Sequence, residues 1–158
     1  MTQPAIEFPS DREILMRREF DAPIDLVFDV FTKTEHLRRT FAPFDEEMTV
    51  CDSDLRVGGD YHYVMVTPDG TECSFRGRFL AVEPPTRTVQ TWIFDGWPGV
   101  EAVESMELSR AGDGTAMTYR LAFQDEAGRA RMSKYDGLEA SFENVANYLR
   151  TLQSGTAE

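Results

Sequence analysis

The sequence predicts an α+β domain in which a curved antiparallel sheet wraps around one long C-terminal helix. Two observations carry that reading. The middle of the chain alternates apolar and polar residues between glycine- and proline-rich turns, the pattern of strands joined by hairpins. Near the end, Tyr135, Leu138, Phe142, Val145, Leu149 and Leu152 recur at steps of three and four, giving one apolar stripe about five turns long. Such a helix must bury its stripe, and the sheet is the one large surface available.

Each element has a local cause. Arg12 to Phe20 alternates, with Ile14, Met16, Arg18 and Phe20 on one face, and reads as the first strand. Pro23 suits the first position of a helix, where its missing N–H is not needed, and Asp25 suits the first turn. Val27, Val30 and Phe31 keep helical spacing, and a second short helix covers Glu35 to Thr40. Strands follow at Thr49–Cys51, Tyr61–Val66, Glu72–Val82, Thr88–Phe94, Val103–Leu108 and Ala116–Phe123. Between them lie the turn signals Gly58-Gly59, Thr67-Pro68-Asp69-Gly70, Pro84-Pro85, Gly96-Trp97-Pro98-Gly99 and Gly112-Asp113-Gly114. The first strand, distant in sequence from the hairpin series, is expected at the far side of the sheet. The final helix is expected over about residues 128–152.

Composition narrows the function. The 158 residues are 41% hydrophobic and 11% aromatic, enough for one domain with a real core. The expected organisation is an N-terminal tail at 1–11, a domain at 12–152 and a C-terminal tail at 153–158. A net charge of −12 repels phosphate backbones and anionic lipid, so nucleic acid and membrane are excluded as expected partners. No apolar run approaches the roughly 20 residues that span a bilayer. Met1 to Ser10 lacks the basic start and apolar core of a secretory signal, so a cytoplasmic location is expected. Cys51 and Cys73 then read as reduced packing residues. Monomer and homodimer both stay open.

Catalytic and metal signals are weak. His62 alternates with Tyr61 and Tyr63 and so faces away from both, while His36 falls on a short surface helix. Neither has a sequence-local carboxylate partner that suggests a catalytic pair. Asp45-Glu46-Glu47 and Asp52-Ser53-Asp54 lack the spacing of a calcium loop and read as a solvated edge. Gly58-Gly59 is followed by neither Lys-Ser/Thr nor a helix, which makes it a turn or bulge rather than a phosphate loop. Ser74, Ser105 and Ser133 lack a nucleophile-elbow pattern. No catalytic residue, metal ligand or cofactor is expected.

Several motifs resemble one family in order and spacing. They are Phe20-Asp21-Ala22-Pro23 with Val27-Phe28, Glu35-His36-Leu37, and Leu55-Arg56-Val57-Gly58-Gly59 with Tyr61. Pro68-Asp69-Gly70, Phe75-Arg76-Gly77, Glu83-Pro84-Pro85, and Gly137, Ser141, Tyr148 and Leu149 continue the series. Together they resemble the START-like superfamily with the helix-grip fold, and within it the homologues of the activator of heat-shock-protein-90 ATPase, over about residues 12–152. The chain departs from the family where Thr40-Phe41-Ala42-Pro43 replaces a frequent Trp-Trp-Gly-Pro and where Gly137-Leu138 replaces a frequent Gly-Trp. A relative's ligand therefore does not transfer, and fold alone does not imply chaperone activity.

A curved sheet gripping one helix can leave a ligand cavity between them. Strand alternation places Tyr61 and Tyr63 on one face, with Phe75 and Gly77 on the next strand. Gln90 and Trp92 share a face with Phe94, although Val89, Thr91 and Ile93 offer the opposite phase. Met106, Met117 and Tyr119 follow on the last hairpin, and Leu138 and Phe142 come from the helix. Gly77 is expected to leave room in the middle of the sheet. These residues form the candidate cavity, and they equally suit a packed core. The leading expectation is a non-enzymatic domain binding a small hydrophobic or amphipathic molecule. A protein-interaction or chaperone-assisting module is the alternative. A cyclase- or hydrolase-type enzyme is the third, with Arg18, Tyr61, Tyr63, Gln90 and Tyr119 supplying polar groups.

Overall fold

The computed structural model describes residues 5–40, 47–97, 99–133 and 137–154, with the backbone alone at 5, 131–133 and 137–139. The chain opens with β1 (Ala5–Ser10) and β2 (Glu13–Phe20), followed by helices α1 (Ile24–Thr32) and α2 (Thr34–Thr40). Strands β3 (Glu47–Ser53), β4 (Asp60–Val66), β5 (Glu72–Glu83), β6 (Arg87–Phe94), β7 (Glu101–Ala111) and β8 (Gly114–Phe123) come next. Helices α3 (Glu126–Ser133) and α4 (Gly137–Ser154) end the described chain. The strands form one antiparallel sheet in the order β1-β2-β8-β7-β6-β5-β4-β3. This is the helix-grip α+β fold.

The hairpins from β3 to β8 follow the sequence order because short turns can only return a strand beside its predecessor. In the β4–β5 turn, Gly70 takes φ +90° and donates its N–H to the Thr67 carbonyl at 2.9 Å. Strand β2 closes the series by pairing with β8 from Glu13↔Ala122 to Phe20↔Thr115. Its inward residues Ile14, Met16, Arg18 and Phe20 are all buried, as alternation requires.

Three boundaries differ from expectation. Residues 5–10 are not a loose end: they add edge strand β1, with Ile6 opposite Met16. Pro9 hides the strand character of this segment, and an edge position tolerates it. Pro23 is the N-cap of α1 rather than its first helical residue, with φ −63° and its carbonyl accepting from the Val27 N–H at 3.0 Å. The C-terminal helical region is assigned as α3 and α4 on either side of 134–136. Tyr135 lies outside the described residues.

Two apolar clusters fill the interior. The larger joins β2, β6, β7 and β8 to α1 and α4, through Ile14, Met16, Val27, Trp92, Met106, Leu121, Phe142 and Leu149 among others. The smaller gathers Leu37, Met48, Cys51, Tyr61, Tyr63 and Phe79 beneath β3–β5. Phe75 packs against both. Helix α4 meets the sheet through Phe142, whose ring stands edge-on to Tyr119 at 5.2 Å and to Phe31 of α1 at 5.9 Å.

Candidate functional site

A cavity of about 130 Å³ lies where the two clusters meet, between the concave face of the sheet and helices α1, α2 and α4. Strand β4 contributes Tyr61, Tyr63 and Met65, and β5 contributes Phe75 and Phe79. Thr88, Gln90 and Trp92 enter from β6, Glu104 and Met106 from β7, Tyr119 and Leu121 from β8. Phe31, Thr32, Leu37, Thr40, Ser141, Phe142 and Val145 close the helical side.

The wall is aromatic because neighbouring strands place their inward residues side by side. Tyr61 and Tyr63 rings lie 5.0 Å apart, Phe75 and Trp92 5.9 Å apart. Phe94 stacks on Phe75 at 4.8 Å and backs that wall. The register of β6 with β7 opposes Gln90 to Glu104 and Trp92 to Ala102, which settles the phase of β6 in favour of Gln90 and Trp92 facing inward.

One polar cluster interrupts this surface. Gln90 Nε2 donates to Glu104 Oε1 at 3.0 Å, and the Tyr119 hydroxyl donates to Glu104 Oε2. Burial pushes the Glu104 carboxyl up from 4.5 to about 7, and the Gln90 hydrogen bond opposes the shift only in part. Burial also pushes Tyr61 and Tyr63 well above the ordinary phenol range, so both remain neutral. Tyr61 donates its hydroxyl to the Thr91 carbonyl at 2.6 Å.

Of the residues singled out from sequence, Tyr61, Tyr63, Phe75, Gln90, Trp92, Met106, Tyr119 and Phe142 come together around the cavity. Met117 does not line it; it is 1% exposed in the larger cluster, opposite Arg18 and Leu108. Gly77 opens no space. A Cβ there would lie 1.9 Å from the Thr91 carbonyl oxygen and 2.7 Å from Tyr61 Cε2. Tyr61 is the register partner of Gly77, and its ring crosses that position to reach Thr91. Gly77 is thus required by close packing. The expectation for Leu138 lies outside the described side chains. Arg18 is buried but pairs with Glu143 Oε1 at 2.9 Å and is not part of the lining.

Sequence reading missed Glu104. The signal was present: Ala102, Glu104, Met106 and Leu108 alternate onto one face of β7. The histidines have structural partners. His62 is exposed and bonded to Ser74 Oγ at 2.9 Å, and His36 Nδ1 meets the Tyr148 hydroxyl at 2.8 Å, tying α2 to α4. Among the described residues there is no metal-binding cluster and no helix long and apolar enough to cross a membrane.

The family model described as activator of Hsp90 ATPase homolog 1-like protein matches residues 21–150. No curated protein matches the sequence. Among solved structures, a Rhodobacter sphaeroides protein is 20% identical with a TM-score of 0.89, over 95% of this chain and 99% of that one. A Nitrosomonas europaea protein is 22% identical with a TM-score of 0.82, over 92% and 99%. A Silicibacter pomeroyi protein of the same family name is 19% identical with a TM-score of 0.74, over 89% and 99%. At these identities the likeness is one of fold.

Proposed function

Because the chain belongs to the activator of Hsp90 ATPase homolog 1-like family, with its START-like fold, we propose that it binds a compact, mostly apolar molecule in the cavity between sheet and α4. The supporting observation is an aromatic-walled space of about 130 Å³ containing one polar cluster. Filled cores seldom leave voids much larger than a water molecule. A dry cavity of about 150 Å³ holds benzene, which sets the scale of the occupant at one ring or an equivalent branched body. Thr40, standing where the family often has a tryptophan, leaves part of this room.

The reading needs no metal or organic cofactor. It keeps the protein in the cytoplasm and leaves nucleic acid outside its partners. An interaction module is less well supported, because the large exposed apolar side chains among the described residues, Ile6, Phe8, Val57, Leu80 and Val103, are spread over several elements. Glu104, titrating near neutrality, also suits proton transfer to a bound molecule. That favours the enzymatic reading over the interaction module.

Benzyl alcohol tests the proposal. Burying about 250 Å² at roughly 25 cal/mol/Å² gives about 6 kcal/mol before association costs, so millimolar to upper-micromolar affinity is expected. At ten times Kd the protein should gain about 1.4 kcal/mol of stability. Calorimetry should show saturable one-site binding, and Val145→Phe should weaken it by filling the space. No saturable binding to the native protein would refute the reading.

A further inference from the structure

Among the described lining residues, Glu104 is the one carboxyl group on an otherwise uncharged wall, with no lysine or arginine beside it. Gln90 occupies one carboxyl oxygen and Tyr119 the other. A carboxylate offers about four lone-pair positions, so each oxygen retains one. The rings of Tyr61, Tyr63, Phe75, Trp92, Tyr119 and Phe142 line the same cavity. Aromatic rings attract a desolvated cation through their quadrupoles, and a carboxylate supplies the countercharge. The surface adds to this preference, since a net charge of −12 concentrates cations around the protein.

We propose that the cavity selects a small organic ammonium, a protonated amine on a compact apolar body, with Glu104 as its counterion and the aromatic wall as its cage. This rests on the cavity-binding reading and specifies the chemistry of its occupant. Gln90 and Tyr119 act as positioning residues, holding the carboxylate oriented. The other titratable groups facing it are Tyr61 and Tyr63 from β4 and Tyr119 from β8. Among the described residues the helical side presents no acid or base: α1 shows Phe31 and Thr32, α2 Leu37 and Thr40, α4 Ser141, Phe142 and Val145. Ligand-linked proton release is therefore assigned to Glu104 alone.

Three probes of nearly one shape separate the possibilities: benzylamine, benzyl alcohol and benzoate, titrated calorimetrically into the whole protein from pH 6 to pH 8. Benzylamine stays protonated throughout this range. It should bind about tenfold or more tighter than benzyl alcohol at pH 8, and its affinity should fall roughly tenfold by pH 6 as Glu104 takes up a proton. Benzyl alcohol should show little pH dependence, and benzoate should bind weakest at pH 8. Glu104→Gln should abolish the amine's advantage and keep alcohol binding. The native-protein titrations stand alone if that variant fails to fold. If the alcohol binds as tightly as the amine, or benzoate most tightly, the ammonium assignment is overturned while cavity binding survives. If none of the three binds, both readings fall.

Discussion

Replacing Glu104 by Gln should flatten the pH dependence of stability. The carboxyl titrates near 4.5 in an unfolded chain and is pushed to about 7 in the folded protein, where burial disfavours its charge. A raised carboxyl means that the folded state holds the proton more tightly than the unfolded state. Its favourable contribution is complete below pH 4.5 and is lost as pH rises towards 7. At about 1.4 kcal/mol per tenfold change, the ionised carboxylate disfavours folding by about 3 kcal/mol above pH 7. Hydrogen-bond rearrangement around the amide offsets about a third of the gain on substitution, since a typical bond contributes about 1 kcal/mol. Urea unfolding at pH 5 and pH 8 measures this directly. Between those values the native protein should lose about 2–3 kcal/mol relative to Glu104→Gln, because other titrating groups contribute equally to both. Stability profiles that run parallel within about 0.5 kcal/mol would refute the burial of this charge.

Three other outcomes are expected. Phe142→Ala should destabilise by about 3–5 kcal/mol in urea melts, since Phe142 is 4% exposed and joins α4 to Tyr119; a change below about 1 kcal/mol would contradict the grip of helix on sheet. Gly77→Ala should cost more than about 2 kcal/mol, because its methyl must displace the Thr91 carbonyl and the Tyr61 ring; a neutral effect would show that the strands separate freely there. DNA should bind negligibly near physiological salt, and a micromolar complex by mobility shift would contradict the exclusion drawn from charge.

Strand order and inward faces were largely legible because alternation and turn chemistry are local. Tyr61 with Tyr63, and Ile14 to Phe20, could be assigned without a partner strand. Strand β6 could not, because Val89 and Ile93 made its other face equally apolar, and only register with β7 separates them. Glu104 escaped for an energetic reason. An acid is normally left in water, so its alternation with Met106 and Leu108 read as an interruption rather than an inward position. Gly77 failed differently. A missing side chain leaves space only if no neighbour fills it, and Tyr61 does so from the adjacent strand. Met106 and Met117 have equal claims by pattern. Their separation into cavity wall and solid core depends on where the helices cross the sheet, which is a tertiary property.

The cavity itself is best tested by methyl NMR on protein labelled at methionine, titrated with benzyl alcohol. Met65 and Met106 line the space, whereas Met16 and Met117, each 1% exposed, are buried outside it. Cavity binding requires saturable shifts and intermolecular NOEs at Met65 and Met106, with Met16 and Met117 showing no NOE to the probe. Equal NOEs at all four methyls, or saturation without any at Met65 and Met106, would place the probe elsewhere and contradict a binding site between sheet and α4.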